Sequence, residues 1–390
     1  MSTQINVLHV STGMGEGGAE GMLARLIQNT RTVSVRHHLL ALSYEGPLWS
    51  STSAACASSL NLLLNRRMRS LPRLAQLGDF VRSTRANVIH GWMYHGNFAA
   101  SWCRRSFARS SALIFGIRQS LYDLQHERFL TRAVIRKGAV YSHAADAIVY
   151  NSSVSQAQHT AMGYANGTSR VIANGFEIDR FRPDAGIRAA TRARLSIDDS
   201  EFVIGVVARF HPVKDHAMLL RAVATMTREH RNIRVLIAGP GCTPDNTELR
   251  EQISRYGGGA RIELLGAWHE TERLYPALDA LCLTSKAEGF PNVVGEAMSC
   301  GVVCFCTEVG DVPRIIGDTG FLNAVGDSES LASHLLTFVR LGAPAKLEAS
   351  KRARSRIVEC FAIETVVDEY VQMYASLAEM SERVRDHRKV

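Results

Sequence analysis

Short apolar runs alternate with amphipathic stretches along the whole of this 390-residue chain, and few folds accommodate that pattern. A strand buried on both faces reads as a nearly continuous apolar run, so the pattern predicts βα units and parallel sheets. In the first half, strands are predicted over residues 5–11, 37–42, 60–65, 87–91, 112–117, 147–151 and 170–172. Helices are predicted between them over 19–29, 72–85 and 97–107, where apolar residues recur at three- and four-residue intervals. Turn residues and charge then cluster from Asn174-Gly175 to Arg182-Pro183-Asp184, which reads as a linker.

A second series begins beyond it. Strands are expected over 202–207, 234–238, 262–265, 280–284 and 302–306, and helices over 217–229, 247–255, 271–278 and 292–299. Residues after Ser328 read as helix, including 348–361 and 363–380. The length exceeds what one hydrophobic core usually serves, so two doubly wound α/β domains are expected. Ligand sites of such sheets lie at the carboxyl ends of the strands, and facing domains would share one crevice.

Composition narrows the class. Apolar residues make up 46% and charged residues 21%, which is ordinary for a folded, water-soluble chain. Every long apolar segment is interrupted by charge, and Met1-Ser2-Thr3-Gln4 lacks the layout of a secretion signal, so a cytoplasmic protein is expected. The eight cysteines form no CxxC pair and read as small core hydrophobes. The net charge of +8 is unevenly placed, since residues 1–180 hold 19 Lys and Arg against 9 Asp and Glu. Such an excess suits nucleic acid, an anionic membrane surface or an acidic substrate, and 64–74, with Arg66, Arg67, Arg69 and Arg73 among apolar residues, reads as a solvated helix face first and as an interfacial helix second. A nucleic-acid partner is not expected, because no aromatic interleaving or reader motif accompanies the charge.

Three segments at predicted strand ends carry candidate chemistry. After the first strand, Gly13, Gly15, Gly17 and Gly18 precede a helix, and Gly13, Gly15 and Gly18 formally satisfy a dinucleotide-binding fingerprint. The loop reads as a contact for phosphate or sugar, as a dehydrogenase fingerprint, or as a tight turn; Glu45 comes late for the ribose-binding acid a nicotinamide cofactor would want. After 280–284 comes Glu288-Gly289-Phe290-Pro291-Asn292-Val293-Val294-Gly295-Glu296. Pro291 suits a first helical turn, the amides near Asn292 and Val293 can hold an anionic oxygen, and Glu296 can accept from ribose hydroxyls. Gly295 implies close packing or ligand approach. After 202–207, Arg209 and Lys214 leave the same sheet end and could neutralise a diphosphate, with no Asp-x-Asp or His/Cys cluster to suggest a metal.

With these residues assembled, the chain resembles the family 4 group of retaining glycosyltransferases of GT-B fold, of bacterial surface-polysaccharide type, across nearly its whole length. The resemblance rests on Glu288 and Glu296, on Arg209 and Lys214, on Val309-Gly310-Asp311 with Pro313, and on 174–183; Gly17-Gly18-Ala19-Glu20 adds a weaker match. It implies an acceptor-binding domain over 1–180, completed by a crossing helix near 363–385, and a donor-binding domain over 181–362. It further implies that Arg209 and Lys214 bind the donor diphosphate, Glu296 the ribose, and Glu288 with the amides after Phe290 the transferred sugar. The donor is expected to be a nucleotide-diphosphate sugar, a UDP-sugar foremost. The acceptor is expected to be a glycan or a lipid-linked molecule, the linkage is made with retention, and neither metal nor cofactor is needed. Peripheral attachment at the inner face of the cytoplasmic membrane fits the basic first half. The family often carries a histidine after the fifth strand, where this chain has Ile117-Arg118-Gln119; Arg118, or His95 from the neighbouring loop, is the candidate replacement. An NAD(P)-dependent oxidoreductase and a non-transferring sugar-nucleotide epimerase of the same fold are the alternatives.

Overall fold

The computed structural model describes residues 4–30, 34–65, 67–122, 124 and 129–387, with side chains for all of these except 67–70 and 383–387. The expected basic segment at 64–74 therefore lies partly outside the described residues. Two compact units are present, one comprising 1–175 with 363–390 and the other 176–362. The change of unit falls at Gly175/Phe176, a few residues before the expected 180/181. Phe176 belongs to the second unit because its N–H donates to Phe361 O at 2.9 Å and its ring stacks on Phe290.

The first unit is built on β1 (Ile5–Gly13), β2 (Val35–Tyr44), β3 (Ser58–Asn61), β4 (Val88–Trp92), β5 (Ala112–Ile117), β6 (Ala147–Tyr150) and β7 (Ser169–Val171). They form one parallel sheet in the order β3-β2-β1-β4-β5-β6-β7. Its helices are α1 (Gly18–Asn29), α2 (Trp49–Ala54), α3 (Arg67–Ser83), α4 (Met93–Phe107), α5 (Phe129–Ser142) and α6 (Ser153–Ala161). One face of the sheet packs on Met22, Leu23, Leu26 and Ile27 of α1. The opposite face packs on Leu77 and Val81 of α3, Ala100 and Cys103 of α4, and Ile135 and Ala139 of α5.

The second unit opens with α7 (Ala185–Arg194), capped by the Asp184 carboxylate, and continues with β8 (Phe202–Val207), α8 (His216–Met226), β9 (Ile233–Ala238), α9 (Thr247–Tyr256) and β10 (Arg261–Gly266). Then come α10 (Thr271–Leu274), β11 (Ala280–Leu283), α11 (Asn292–Ser299), β12 (Val303–Thr307), α12 (Val312–Ile316), β13 (Phe321–Asn323), α13 (Ser328–Val339) and α14 (Ala343–Phe361). The parallel sheet runs β10-β9-β8-β11-β12-β13. Helix α15 (Ile363–His387) then returns to the first unit, where Ile363, Val366, Val367, Tyr370 and Tyr374 join the same core as α1.

Strand order reverses between β1 and β4 in one sheet and between β8 and β11 in the other. At such a point the connections leave in opposite directions and open a crevice at the strands' carboxyl ends. The glycine loop follows β1, Arg209 and Lys214 follow β8, and Glu288 follows β11, so the candidate segments stand at the two switch points. Among the described residues no helix is long and apolar enough to cross a membrane.

Candidate functional site

Pairing of β8 with β11 makes neighbours of the loops that leave them. After β8 the chain makes one 3-10 turn, Pro212–Lys214, capped by the His211 ring, whose Nδ1 accepts from Val213 N at 3.2 Å. Asp215 follows in the left-handed region at φ 43°, and its carboxylate accepts from Met218 N, starting α8. Two bonds lock this turn to the β11 loop: Lys286 N donates to Val213 O at 2.7 Å, and Thr284 Oγ1 donates to Lys214 O at 3.0 Å. With its backbone held on both sides, Lys214 reaches across to Glu288, Nζ to Oε1 at 2.5 Å. The same carboxylate oxygen accepts from Ser285 Oγ at 2.6 Å. The two side chains are 20% and 12% exposed, enough to meet a ligand while most water is excluded.

A third loop braces the pair. Gly310, at φ 55°, lies so close to the carbonyls of Glu288 and Gly289 that a Cβ would strike them, and Asp311 N donates to Gly289 O at 2.9 Å. Only a residue without a side chain suits that conformation and that gap.

Helix α11 begins at Asn292, with Pro291 as its N-cap rather than its first helical residue, and no side chain caps it. The first amides of a helix have no partner within it and carry the positive end of its dipole, so Asn292 and Val293, both half-buried, present an anion-attracting end. Phe290 is buried between Phe176 and Phe361. Gly295 proves to be a packing site, because a Cβ there would run into the Phe176 ring. Gly295→Ala is accordingly expected to lower stability by about 1–3 kcal/mol through forced displacement of that ring. Thermal unfolding of purified variant and wild type would check this, and equal melting temperatures would refute the packing account.

Glu296 lies one turn along α11, half-buried, with Oε2 accepting from the Tyr275 hydroxyl at 2.9 Å. Tyr275 is fully buried, and burial first, then the neighbouring Glu296 carboxylate, pushes its hydroxyl pKa well up, so it stays a donor. Sequence reasoning did not single out Tyr275. The signal available was a lone aromatic hydroxyl just ahead of the strand whose loop carries both acids. Arg209 is exposed in the β8 loop and has no hydrogen bond or ion pair among the described residues. It shares the sheet edge with Lys214 but is not fixed as Lys214 is.

In the first unit, Gly17 is the N-cap of α1 and Gly18 its first residue, again without a side-chain cap. A Cβ on Gly13 would sit 2.5 Å from the Tyr44 ring, and Gly46, at φ 67°, packs on the Met14 carbonyl, so the loop is pressed against the end of β2. His95 was expected in a loop, and it is instead an exposed residue of the first turn of α4. The helix starts at Met93, four residues before the expected 97, after a backbone step through φ 61° that no propensity signals.

Arg118 is buried. Its Nη1 donates to the Tyr370 hydroxyl of α15 at 2.7 Å, its Nε to Asn174 Oδ1 at 3.1 Å, and its Nη2 to Asn174 Oδ1 and Ala173 O. Its guanidinium also faces the Trp92 ring, 5.7 Å from the centroid. These contacts tie β5 to the end of the unit and to α15. Around it lies a buried cluster that the sequence reading passed over. His9 Nε2 and His37 Nδ1 are 2.9 Å apart, Trp92 Nε1 donates to His9 Nδ1, and His90 Nδ1 meets the Tyr374 hydroxyl at 2.9 Å. Among the described residues no group of three or more His, Cys, Asp or Glu is placed to hold a metal ion.

The family model described as "Glycosyltransferase Family 4" matches residues 16–180, and that of "Glycosyl transferases group 1" matches residues 201–340. The chain is a family 4-type glycosyltransferase. The glycosyltransferase EpsF of Bacillus subtilis is 22% identical over 356 residues, covering 88% of this chain and 90% of EpsF. The D-inositol 3-phosphate glycosyltransferase of Rhodococcus jostii is 33% identical over 216 residues, covering 52% of this chain and 46% of that enzyme, so the match spans about half its length. Among solved structures, Anabaena Alr3699/HepE in complex with UDP superposes with a TM-score of 0.80 at 22% identity, over 95% of this chain and 100% of that one. The glycosyltransferase thus has the GT-B fold, and its Lys214–Glu288 pair and the α11 terminus lie in the part matched by the group 1 model. The oxidoreductase alternative, which rested on the glycine loop alone, is not favoured.

Proposed function

We propose that this glycosyltransferase moves a sugar, with retention, from a UDP-sugar to a hydroxyl of a glycan or lipid-linked acceptor in cell-surface polysaccharide synthesis, at the inner face of the cytoplasmic membrane. The observation that carries the reading is Lys214, held by Glu288 and by two backbone bonds at the switch point of the second sheet. Lys214 and Arg209 meet the diphosphate, with the Asn292 and Val293 amides of α11 adding their dipole. Glu296, steadied by Tyr275, accepts from the ribose hydroxyls, and Glu288 with the backbone after Phe290 takes the sugar. Gly17 and Gly18, which open α1, and His95, in the first turn of α4, stand at the carboxyl ends of β1 and β4 within the first unit.

The acceptor oxygen bonds to the anomeric carbon as the bond to the diphosphate oxygen breaks. Attack comes on the face the diphosphate leaves, so the departing oxygen takes the acceptor's proton and configuration is retained. Negative charge grows on the leaving group, and Lys214, Arg209 and the α11 amides stabilise it without a metal. The uridine base is supported by the HepE structures, solved with UDP, with UDP and glucose, and with UDP-glucose.

A thermal-shift series with UDP, GDP and ADP tests the donor. UDP is expected to raise the melting point most, and Glu296→Ala to weaken UDP binding about 10–100-fold, as loss of a hydrogen bond to a charged group does. A variant that binds UDP as tightly as wild type would remove the ribose role.

A further inference from the structure

The outer surface of the α3–α5 layer combines large apolar side chains with charge of one sign. On α4, Phe98, Trp102 and Arg105 are exposed at four- and three-residue spacing and so share a face. On α5, Phe129, Arg136 and Val140, spaced by about two turns and then one, also share an exposed face, with Leu130 and Lys137 beside them. Phe129, Leu130 and Val140 are 75%, 73% and 74% exposed. The faces are continuous: the Phe98 ring meets Tyr141 of α5 at 5.5 Å, and Trp102 meets Phe107 at 5.2 Å. Arg82 of α3 lies 5.4 Å from the Phe107 centroid, and Leu71 and Leu74 extend the apolar surface along α3.

Acids are nearly absent from this layer. Neither α4 nor α5 contains Asp or Glu, and α3 has only Asp79, which pairs with Arg82 at 2.8 Å. Cations alone would suit any polyanion. Aliphatic Leu71, Leu74, Leu130 and Val140 gain nothing from a sugar-phosphate backbone, whereas the boundary of a bilayer offers hydrocarbon to them and headgroup charge to the arginines.

We propose that the outward faces of α3, α4 and α5 form a docking surface for an anionic lipid bilayer, with Phe129, Leu130 and Trp102 entering the interface and Arg105, Arg136 and Lys137 meeting headgroups. This deepens the peripheral location proposed above and rests on it. The same cationic surface loses affinity as salt rises, because each headgroup contact is screened.

Co-sedimentation of the full chain with phosphatidylcholine vesicles, with and without phosphatidylglycerol, tests it. Wild type is expected to pellet with the anionic vesicles only. Phe129→Ser with Leu130→Ser, and separately Arg136→Glu with Lys137→Glu, should each reduce partitioning about tenfold or more, with melting temperature and UDP-induced shift unchanged. Variants that pellet as wild type does would overturn the surface while leaving the peripheral location standing. Wild type that ignores anionic vesicles, or that shifts RNA through these same residues instead, would overturn both. A missing UDP shift in every protein would count against the donor reading alone.

Discussion

Replacing Lys214 with alanine is expected to slow sugar transfer about 10²-fold or more while leaving the fold intact, as loss of a preorganised charge partner for a developing anion does. Lys214 is held before any donor arrives, by its ion pair with Glu288 and by the Thr284 and Lys286 bonds to its turn. A cation already in place reorganises little as the diphosphate takes up charge, so its contribution concentrates in the transition state. Ser285 still serves Glu288 in the variant, but the pair is mostly buried, so the carboxylate left without its cation costs some stability, and the unfolding temperature separates that cost from the loss of rate. Arg209→Ala is expected to act in the same direction, by a smaller factor, because nothing in the second unit restrains that side chain. Steady-state transfer from UDP-sugar, with unfolding temperature measured alongside, would check both. A Lys214→Ala rate within about twofold of wild type would remove the charge-stabilisation mechanism.

Acid should destabilise the first unit well before it titrates the carboxylates. Burial pushes His37 and His38 down to about 4 and His90 to about 3, and holds His9 far below the ordinary value of 6.5. Neighbouring groups add to this, His37, then His90 and His38 beside His9, and Arg118 beside His90. Between the folded and unfolded values the unfolded chain binds more protons, so stability is whole above about pH 6.5 and falls as pH drops toward 4. Each fully depressed histidine contributes up to about 1.4 kcal/mol per pH unit in that window. Several together approach the roughly 5–15 kcal/mol that stabilises a domain. Of the histidines with lowered pKa, His159 also belongs to the first unit, and His216 alone to the second. Calorimetry from pH 7.5 to 5 should therefore show the first unit's transition moving down in temperature by several times as much as the second's, which has His216 alone. Two transitions that move together, or a flat profile above pH 5, would refute it.

Much of both sheets was legible because strands buried on both faces leave unbroken apolar runs, and 112–117 and 202–207 were read to the residue. The three-residue β13 was missed, while β7, as short, was read one residue late. Helix α7 was hidden by its composition, since Arg188, Arg192 and Arg194 make it look like more linker. Arg188 and Arg192 in fact both pair with Asp279, an association across the fold that no local pattern shows. At the site, Glu288, Lys214 and the α11 terminus were readable because each follows directly on a legible strand. The partners that position them, Ser285, Thr284 and Tyr275, carry no such signature and emerge only when loops from different strands meet. The histidine cluster had a signal that went unused, for His9, His37, His38 and His90 fall on three adjacent strands of one sheet.

The unit that begins the chain is closed by α15, whose Tyr370 and Tyr374 reach Arg118 and His90. During synthesis the second unit would thus be complete before the first, whose sheet face is covered by α1 without α15 until that last helix emerges. A premature stop just before Ile363 would consequently spare the second unit's fold and leave α1 without α15 on one face of the first unit's sheet.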